Sequence, residues 1–92
     1  MDAAPLTSDD VRRVRFERSF WGYSQREVDR FLKRATLALE TSEAGGDPDL
    51  TASDVTRITF GGALIGYAEG QVDVFLDELA EALHHGADSS SA

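Results

Sequence analysis

Apolar residues recur at steps of three and four in two long stretches of the chain, and each stretch predicts an amphipathic helix. The first covers residues 24–41 and the second covers residues 68–85. In each stretch the apolar side chains fall on one helical face, so we expect the two faces to pair. The predicted helix-pairing interface consists of Val28, Phe31, Leu32, Ala35, Leu39, Val72, Phe75, Leu76, Leu79 and Leu83.

A short helix is predicted ahead of each long one by helix-start signals. Thr7 with Asp10, and Thr51 with Asp54, have the spacing of a capping box, in which each side chain bonds the other residue's backbone. The first long helix has a third such signal at Ser24. The second lacks it, because alanine stands in that place and a glycine occupies its first turn.

The segment between the short and the long helix has neither helical nor strand periodicity, and it is predicted to be an extended loop. Phe16 and its counterpart Phe60 are expected in the core. Gly22 and its counterpart Gly66 directly precede a long helix in both halves. A glycine at such a place indicates either a positive φ or a close approach of two backbones.

The two halves are copies of one plan, 44 positions apart. Residues 6–39 and 50–83 align without a gap and are identical at fourteen positions. The sequence therefore predicts a tail at residues 1–5, a first repeat at 6–44, a linker at 45–49, a second repeat at 50–85 and a disordered tail at 86–92. The expected fold is all-α, with two short helix–loop–long helix repeats whose long helices pair as a parallel, coiled-coil-like pseudo-dimer. Pairing between two chains by strand exchange is the alternative.

Charge is divided unevenly between the repeats. Residues 6–39 hold eight basic and five acidic side chains, whereas residues 50–83 hold one basic and six acidic ones. Opposite net charges favour pairing of one repeat with the other. The net charge of the whole chain is -8, which argues against nucleic acid as a partner, because nucleic-acid binding depends on neutralised phosphates.

Composition and motifs exclude several other classes. The chain has no cysteine, which excludes disulfides and thiolate metal sites and fits a reducing cytoplasm. No apolar run reaches membrane-spanning length, and the N-terminus lacks the features of a signal peptide. The adjacent residues His84 and His85 share no helical face, and Asp9 with Asp10 is read as part of a helix cap. We therefore predict a protein that is not an enzyme and has no metal, cofactor or small-molecule substrate.

The repeated pattern resembles the N-terminal domain of the DivIVA family. The first repeat carries Leu6-Thr7-x-x-Asp10-Val11, Phe16, Ser19-Phe20-x-Gly22-Tyr23 and Glu27-Val28-Asp29-x-Phe31-Leu32. The second repeat matches more loosely, through Leu50-Thr51-x-x-Asp54-Val55, Phe60, Gly66-Tyr67 and Val72-Asp73-x-Phe75-Leu76. The resemblance implies a role in bacterial cell division or polar growth and a dimeric domain whose loop tips touch the membrane.

This chain departs from the DivIVA pattern in three respects. Two copies lie in one chain, no long coiled-coil tail follows, and no basic residue stands directly after the tip aromatic. The apolar insertion role carries over to Phe20 and to Leu64, while the phosphate-contacting role has no matching residue. We interpret Phe20, Trp21, Leu64 and Ile65 as membrane-binding or partner-binding residues, with burial in the core as the alternative.

Arg15 and Arg18 are expected to attract anionic lipid, or else to be solvated or paired with acids of the second repeat. Two function hypotheses follow from the sequence. The first is a membrane-tip-binding interaction module in the cytoplasm, peripheral at the inner face of the plasma membrane. The second is a soluble helical module that pairs with itself or with other DivIVA-type proteins without binding a membrane.

Overall fold

Each repeat folds into a short helix, a strand and a long helix. The computed structural model describes residues 6–91, with side chains described as far as His84. The elements in chain order are α1 (Ser8–Arg13), β1 (Arg18–Tyr23), α2 (Gln25–Glu43), α3 (Ala52–Arg57), β2 (Gly62–Tyr67) and α4 (Glu69–Ser91). The predicted tail at residues 1–5 lies outside the described residues. The sequence predicts a disordered tail from residue 86, whereas the backbone of α4 is helical to Ser91.

The prediction of an all-α fold is wrong, because the two segments predicted as loops contain strands that pair with each other. Arg18 lies opposite Tyr67 and Tyr23 lies opposite Gly62, so β1 and β2 run antiparallel, with several irregularities of register. The chain is a mixed α/β domain with a two-stranded sheet. Period-two alternation arises when one face of a sheet is buried. Both strands are largely exposed, so the sequence carries no such alternation.

Both predicted capping boxes of the short helices are confirmed. Thr7 Oγ1 accepts a hydrogen bond from the Asp10 backbone N–H at 3.2 Å, and the Asp10 carboxylate accepts one from the Thr7 N–H at 3.0 Å. Thr51 and Asp54 make the same two bonds at 3.1 Å. These bonds satisfy amide groups that have no partner within the helix. Helices of only six residues therefore start at defined positions.

The core combines the apolar stripes of the long helices with side chains from the rest of the chain. Eight of the ten predicted helix-pairing residues are buried, and Leu32 and Leu76 are half-buried. Val11, Leu50 and Val55 join the same cluster at 2%, 1% and 1% exposure. Because α1 packs against α2 and α3 packs against α4, a core shared by four helices replaces the predicted coiled-coil-like pair.

Phe16 and Phe60, both predicted in the core, are half-buried and pack against it from the opposite repeat. The ring of Phe16 lies 5.6 Å from that of Phe75 on α4, and the ring of Phe60 lies 5.7 Å from that of Phe31 on α2. Each repeat thus sends an aromatic side chain across to the long helix of the other, which joins the two repeats into one unit.

Gly22 and Gly66 lie where the two strands cross. Both are buried, and a methyl group added to Gly22 would overlap the Tyr67 carbonyl oxygen, while one added to Gly66 would overlap that of Tyr23. Of the two reasons that the sequence left open, the structure shows the close approach, since Gly45 is the one described glycine with a positive φ.

Candidate functional site

Four large apolar side chains stand in solvent on the paired strands. Phe20 is 71% exposed, Trp21 74%, Leu64 58% and Ile65 45%. β1 supplies the first two and β2 the other two, and Phe20 lies directly opposite Ile65 in the sheet. We call these four residues the tip patch. The structure places all four outside the core, and the pairing of the strands brings these two parts of the chain together.

Trp21 presents its ring from a strained backbone. Its φ of 60° lies in the left-handed region, which costs a residue with a Cβ atom about 1–2 kcal/mol. No other described residue apart from glycine has a positive φ. Strain of this kind persists where the surrounding structure imposes it, and it often marks a functional position.

Arg15 and Arg18 are exposed, and Arg18 is the first residue of β1, two positions before Phe20. Both line an open groove of about 980 Å³ between α1 and α2. Arg18 Nε donates to the Gln25 side-chain oxygen at 3.3 Å, and the Gln25 amide donates to the Ile65 carbonyl oxygen at 3.1 Å. Within the described part of the chain neither arginine forms an ion pair, so both charges are available to an anionic surface.

Two equivalent tyrosine–aspartate bonds lock the repeats together beneath the tip patch. The Tyr23 hydroxyl donates to the Asp73 carboxylate at 2.8 Å, and the Tyr67 hydroxyl donates to the Asp29 carboxylate at 2.7 Å. Each bond joins the end of one strand to the long helix of the other repeat. The pair therefore fixes the sheet against both helices at once.

A second pair of equivalent bonds joins each long helix to the other repeat's approach to the strand. The Glu27 carboxylate accepts from the Gly61 N–H, and the Gln71 side-chain oxygen accepts from the Glu17 N–H, each at 2.8 Å. Of the two hydrogen bonds in the predicted capping box at Ser24, only one forms. Ser24 accepts from the Glu27 N–H at 3.3 Å as expected, but the Glu27 carboxylate is used across the repeats.

Sequence analysis missed the tyrosine–aspartate bonds. The available signal is that tyrosine and aspartate recur six positions apart in both repeats, as Tyr23 with Asp29 and Tyr67 with Asp73. All four belong to the fourteen identical positions. The recurrence marks these residues as a group, but it does not show that each tyrosine bonds the aspartate of the other repeat.

We expect the two tyrosines to make the fold sensitive to alkali. The hydrogen bond to Asp73, together with burial, raises the pKa of Tyr23 from 10.0 to about 12, and the bond to Asp29 raises the pKa of Tyr67. Because folding raises these pKa values, the stabilisation is fully present below pH 10.0 and is lost as the pH rises towards about 12. Thermal melts across this range test the expectation.

The control protein carries Tyr23→Phe with Tyr67→Phe. Near neutral pH it should be less stable by about 0.5–1.5 kcal/mol for each lost hydrogen bond. It should then lose less of its melting temperature than the wild type on going to high pH. Equal alkaline losses in the two proteins would assign the titration to other groups.

Comparison of the chain with protein-family profiles, with curated proteins and with solved structures finds no match. The resemblance to the DivIVA family therefore stays a prediction. Within the described residues, no helix combines the length and the apolarity that crossing a membrane requires. The same part of the chain contains no group of three or more His, Cys, Asp or Glu residues arranged to hold a metal ion. His84 is exposed, and the side chain of His85 lies outside the described residues.

Proposed function

We propose that this chain is a non-enzymatic, DivIVA-like interaction module that attaches reversibly to a membrane surface through the tip patch. The role would be in bacterial cell division or polar growth, at the inner face of the plasma membrane. The process and the location rest on the sequence resemblance alone. The attachment is supported by one structural observation, the grouping of four exposed apolar side chains on the paired strands. Single exposed apolar residues are common, whereas a contiguous group marks an interaction surface.

The size of the tip patch suits weak attachment. Complete removal of its four side chains from water is worth at most roughly 6–12 kcal/mol, at about 1.5–3 kcal/mol each. Insertion at an interface is shallow, and immobilising the protein has a cost, so the net free energy is a fraction of this. Reversible binding of the strength that a single acyl chain gives is the expected outcome. Trp21 suits the headgroup layer, because its indole has an apolar body and one N–H donor.

The net charge of the whole chain disfavours binding to an anionic surface, whereas the basic residues Arg15 and Arg18 favour it. The net charge of -8 opposes such a surface, but acids further than a Debye length of about 8 Å from it are screened at physiological salt. Arg18 lies on the same strand as Phe20 and Trp21, Arg15 precedes that strand in the chain, and a basic residue contributes about 1 kcal/mol near an anionic leaflet. Binding should therefore weaken when either the lipid charge or the two arginines are removed.

Co-sedimentation with vesicles that contain anionic lipid tests the proposal. The variant Phe20→Ser with Trp21→Ser should keep its fold and thermal stability and lose most of its vesicle binding. A matched control is Leu37→Ser with Val74→Ser, because these side chains are 64% and 59% exposed on the long helices. The control should bind as the wild type does at protein concentrations where the wild type sediments as a monomer. Failure of the wild type to bind vesicles would overturn the proposal in favour of the soluble module.

Trp21→Gly separates binding from folding in a second way. Glycine removes the ring and also relieves the strain at φ 60°. The relief of about 1–2 kcal/mol is offset by about 0.5–1 kcal/mol for the greater freedom of glycine in the unfolded chain. Stability in denaturant should therefore stay equal or rise by about 1 kcal/mol while vesicle binding falls. A clear loss of stability would instead make the ring part of the fold.

A further inference from the structure

The outward faces of the two long helices carry opposite charges at equivalent positions. Lys33 and Arg34 on α2 correspond to Asp77 and Glu78 on α4, and all four side chains are exposed. None of the four forms an ion pair within the described part of the chain. We call Lys33 with Arg34 the basic face, and Asp77 with Glu78 the acidic face.

Each face also carries one exposed aliphatic side chain. Leu37 is 64% exposed on the basic face and Val74 is 59% exposed on the acidic face. They lie at opposite ends of their faces, since Leu37 follows Lys33 and Arg34 along α2 while Val74 precedes Asp77 and Glu78 along α4.

The two faces are related by the approximate symmetry of the fold. The tyrosine–aspartate bonds and the other cross-repeat contacts occur in equivalent pairs, so an approximate twofold axis relates the repeats. The two faces occupy equivalent positions but carry opposite charges, so a contact between them joins two different surfaces. A molecule that binds a neighbour through one face keeps the other face for a further neighbour, and such a contact can repeat from molecule to molecule.

We propose that the basic face of one molecule binds the acidic face of a second copy of this chain, with the two helices antiparallel. This register brings complementary side chains together along the whole contact: Leu37 against Val74, Arg34 against Asp77, and Lys33 against Glu78. A parallel arrangement would place Leu37 against a glutamate, Glu81, and Val74 against an arginine, Arg30. The antiparallel register thus follows from matching the aliphatic side chains as well as the charges.

A second copy is the occupant that the surfaces indicate, because one chain supplies both halves of the match. The contact should depend on salt in two ways. At about 0.1 M salt the Debye length of about 10 Å screens the repulsion between distant acids of two molecules, while charges in direct contact still attract. At about 1 M salt the Debye length falls to about 3 Å and the contact pairs weaken as well. Self-association should therefore be stronger at the lower of these two concentrations.

Sedimentation equilibrium with charge-swapped proteins tests the proposal. One variant carries Lys33→Glu with Arg34→Glu, and the other carries Asp77→Lys with Glu78→Lys. Each variant alone has two faces of the same sign, so its dissociation constant should rise about tenfold or more, equivalent to about 1.4 kcal/mol. An equimolar mixture of the two should associate again, because every contact then joins an acidic face to a basic one.

The matched control carries Arg13→Glu with Arg57→Glu, which makes the same change of net charge as the Lys33→Glu with Arg34→Glu variant, on two exposed residues of the short helices α1 and α3. It should associate as the wild type does. The proposal is overturned if the wild type stays monomeric at every concentration, if both swapped variants associate normally, or if the mixture does not recover.

Cysteine cross-linking tests the register. The chain has no cysteine of its own, so Leu37→Cys protein can be mixed with Val74→Cys protein and oxidised with copper phenanthroline. A disulfide between them requires Cα atoms within about 7 Å, and the antiparallel contact predicts this heterodimer. Leu37→Cys mixed with Glu81→Cys reports the parallel arrangement, and its preferential cross-linking would overturn the register.

Discussion

Gly22→Ala should destabilise the domain by about 3 kcal/mol or more, because a new methyl group would overlap backbone atoms that have no room to move. The added Cβ atom meets the Tyr67 carbonyl oxygen and lies 2.8 Å from the Gly66 carbonyl carbon. These atoms belong to the opposite strand, so relief requires separating the strands that present the tip patch. Since small domains are stable by only about 5–15 kcal/mol, we expect Gly22→Ala with Gly66→Ala to abolish the fold.

Gly70→Ala is the matched control for the crossing glycines. A methyl group at Gly70 meets nothing within 4 Å, and the residue lies in the first turn of α4. Replacing a helical glycine by alanine stabilises by about 0.5–1 kcal/mol. Denaturant unfolding should therefore shift in opposite directions for the two kinds of variant. A Gly22→Ala protein as stable as the wild type would show that the strands do not approach each other as described.

Phe31→Asp should unfold the chain. Phe31 is 5% exposed and its ring packs on that of Phe60 at 5.7 Å. Removing a buried phenylalanine costs about 3–5 kcal/mol, and the carboxylate left in its place would be a buried charge with no partner. The two costs together match the whole stability of a domain this small. Circular dichroism should show the helical signal lost at a temperature where the wild type is folded.

Leu37→Asp supplies the comparison on the same helix. Leu37 is 64% exposed, so the substitution introduces the same charge without burying it. The expected loss is within about 0.7 kcal/mol, set by the lower helix propensity of aspartate. If both variants unfolded alike, the difference between the buried and the exposed face of α2 would be contradicted.

The sequence predicts the helices well because their signals are local. The capping pairs Thr7 with Asp10 and Thr51 with Asp54 act over three residues, and the apolar stripes repeat within a single helix. Eight of the ten residues predicted from those stripes are buried. The repeat itself, visible as identity at a fixed spacing, also indicated that the halves pair.

The strands could not be predicted in the same way. The backbone partner of each strand is the other strand, 44 residues away in the aligned repeats, and neither strand has a buried face to impose alternation. Phe20 and Trp21 were open to two interpretations for a related reason. Side chains of the same type fill cores and project into solvent, and the structure alone places these in solvent.

The joining of both halves in one chain changes what substitution can do. In a symmetric homodimer every substitution enters the structure twice, so no position can differ from its symmetry mate. In this chain each substitution enters the structure once, so equivalent positions of the two repeats can hold different residues. Trp21 on one strand corresponds to Ile65 on the other, and Lys33 corresponds to Asp77. Gly22 and Gly66 do not have this freedom, because a side chain at either position would overlap the backbone of the opposite strand. Because a short linker joins the two repeats in one chain, the two sides of the molecule can carry different residues, which the two sides of a symmetric homodimer cannot.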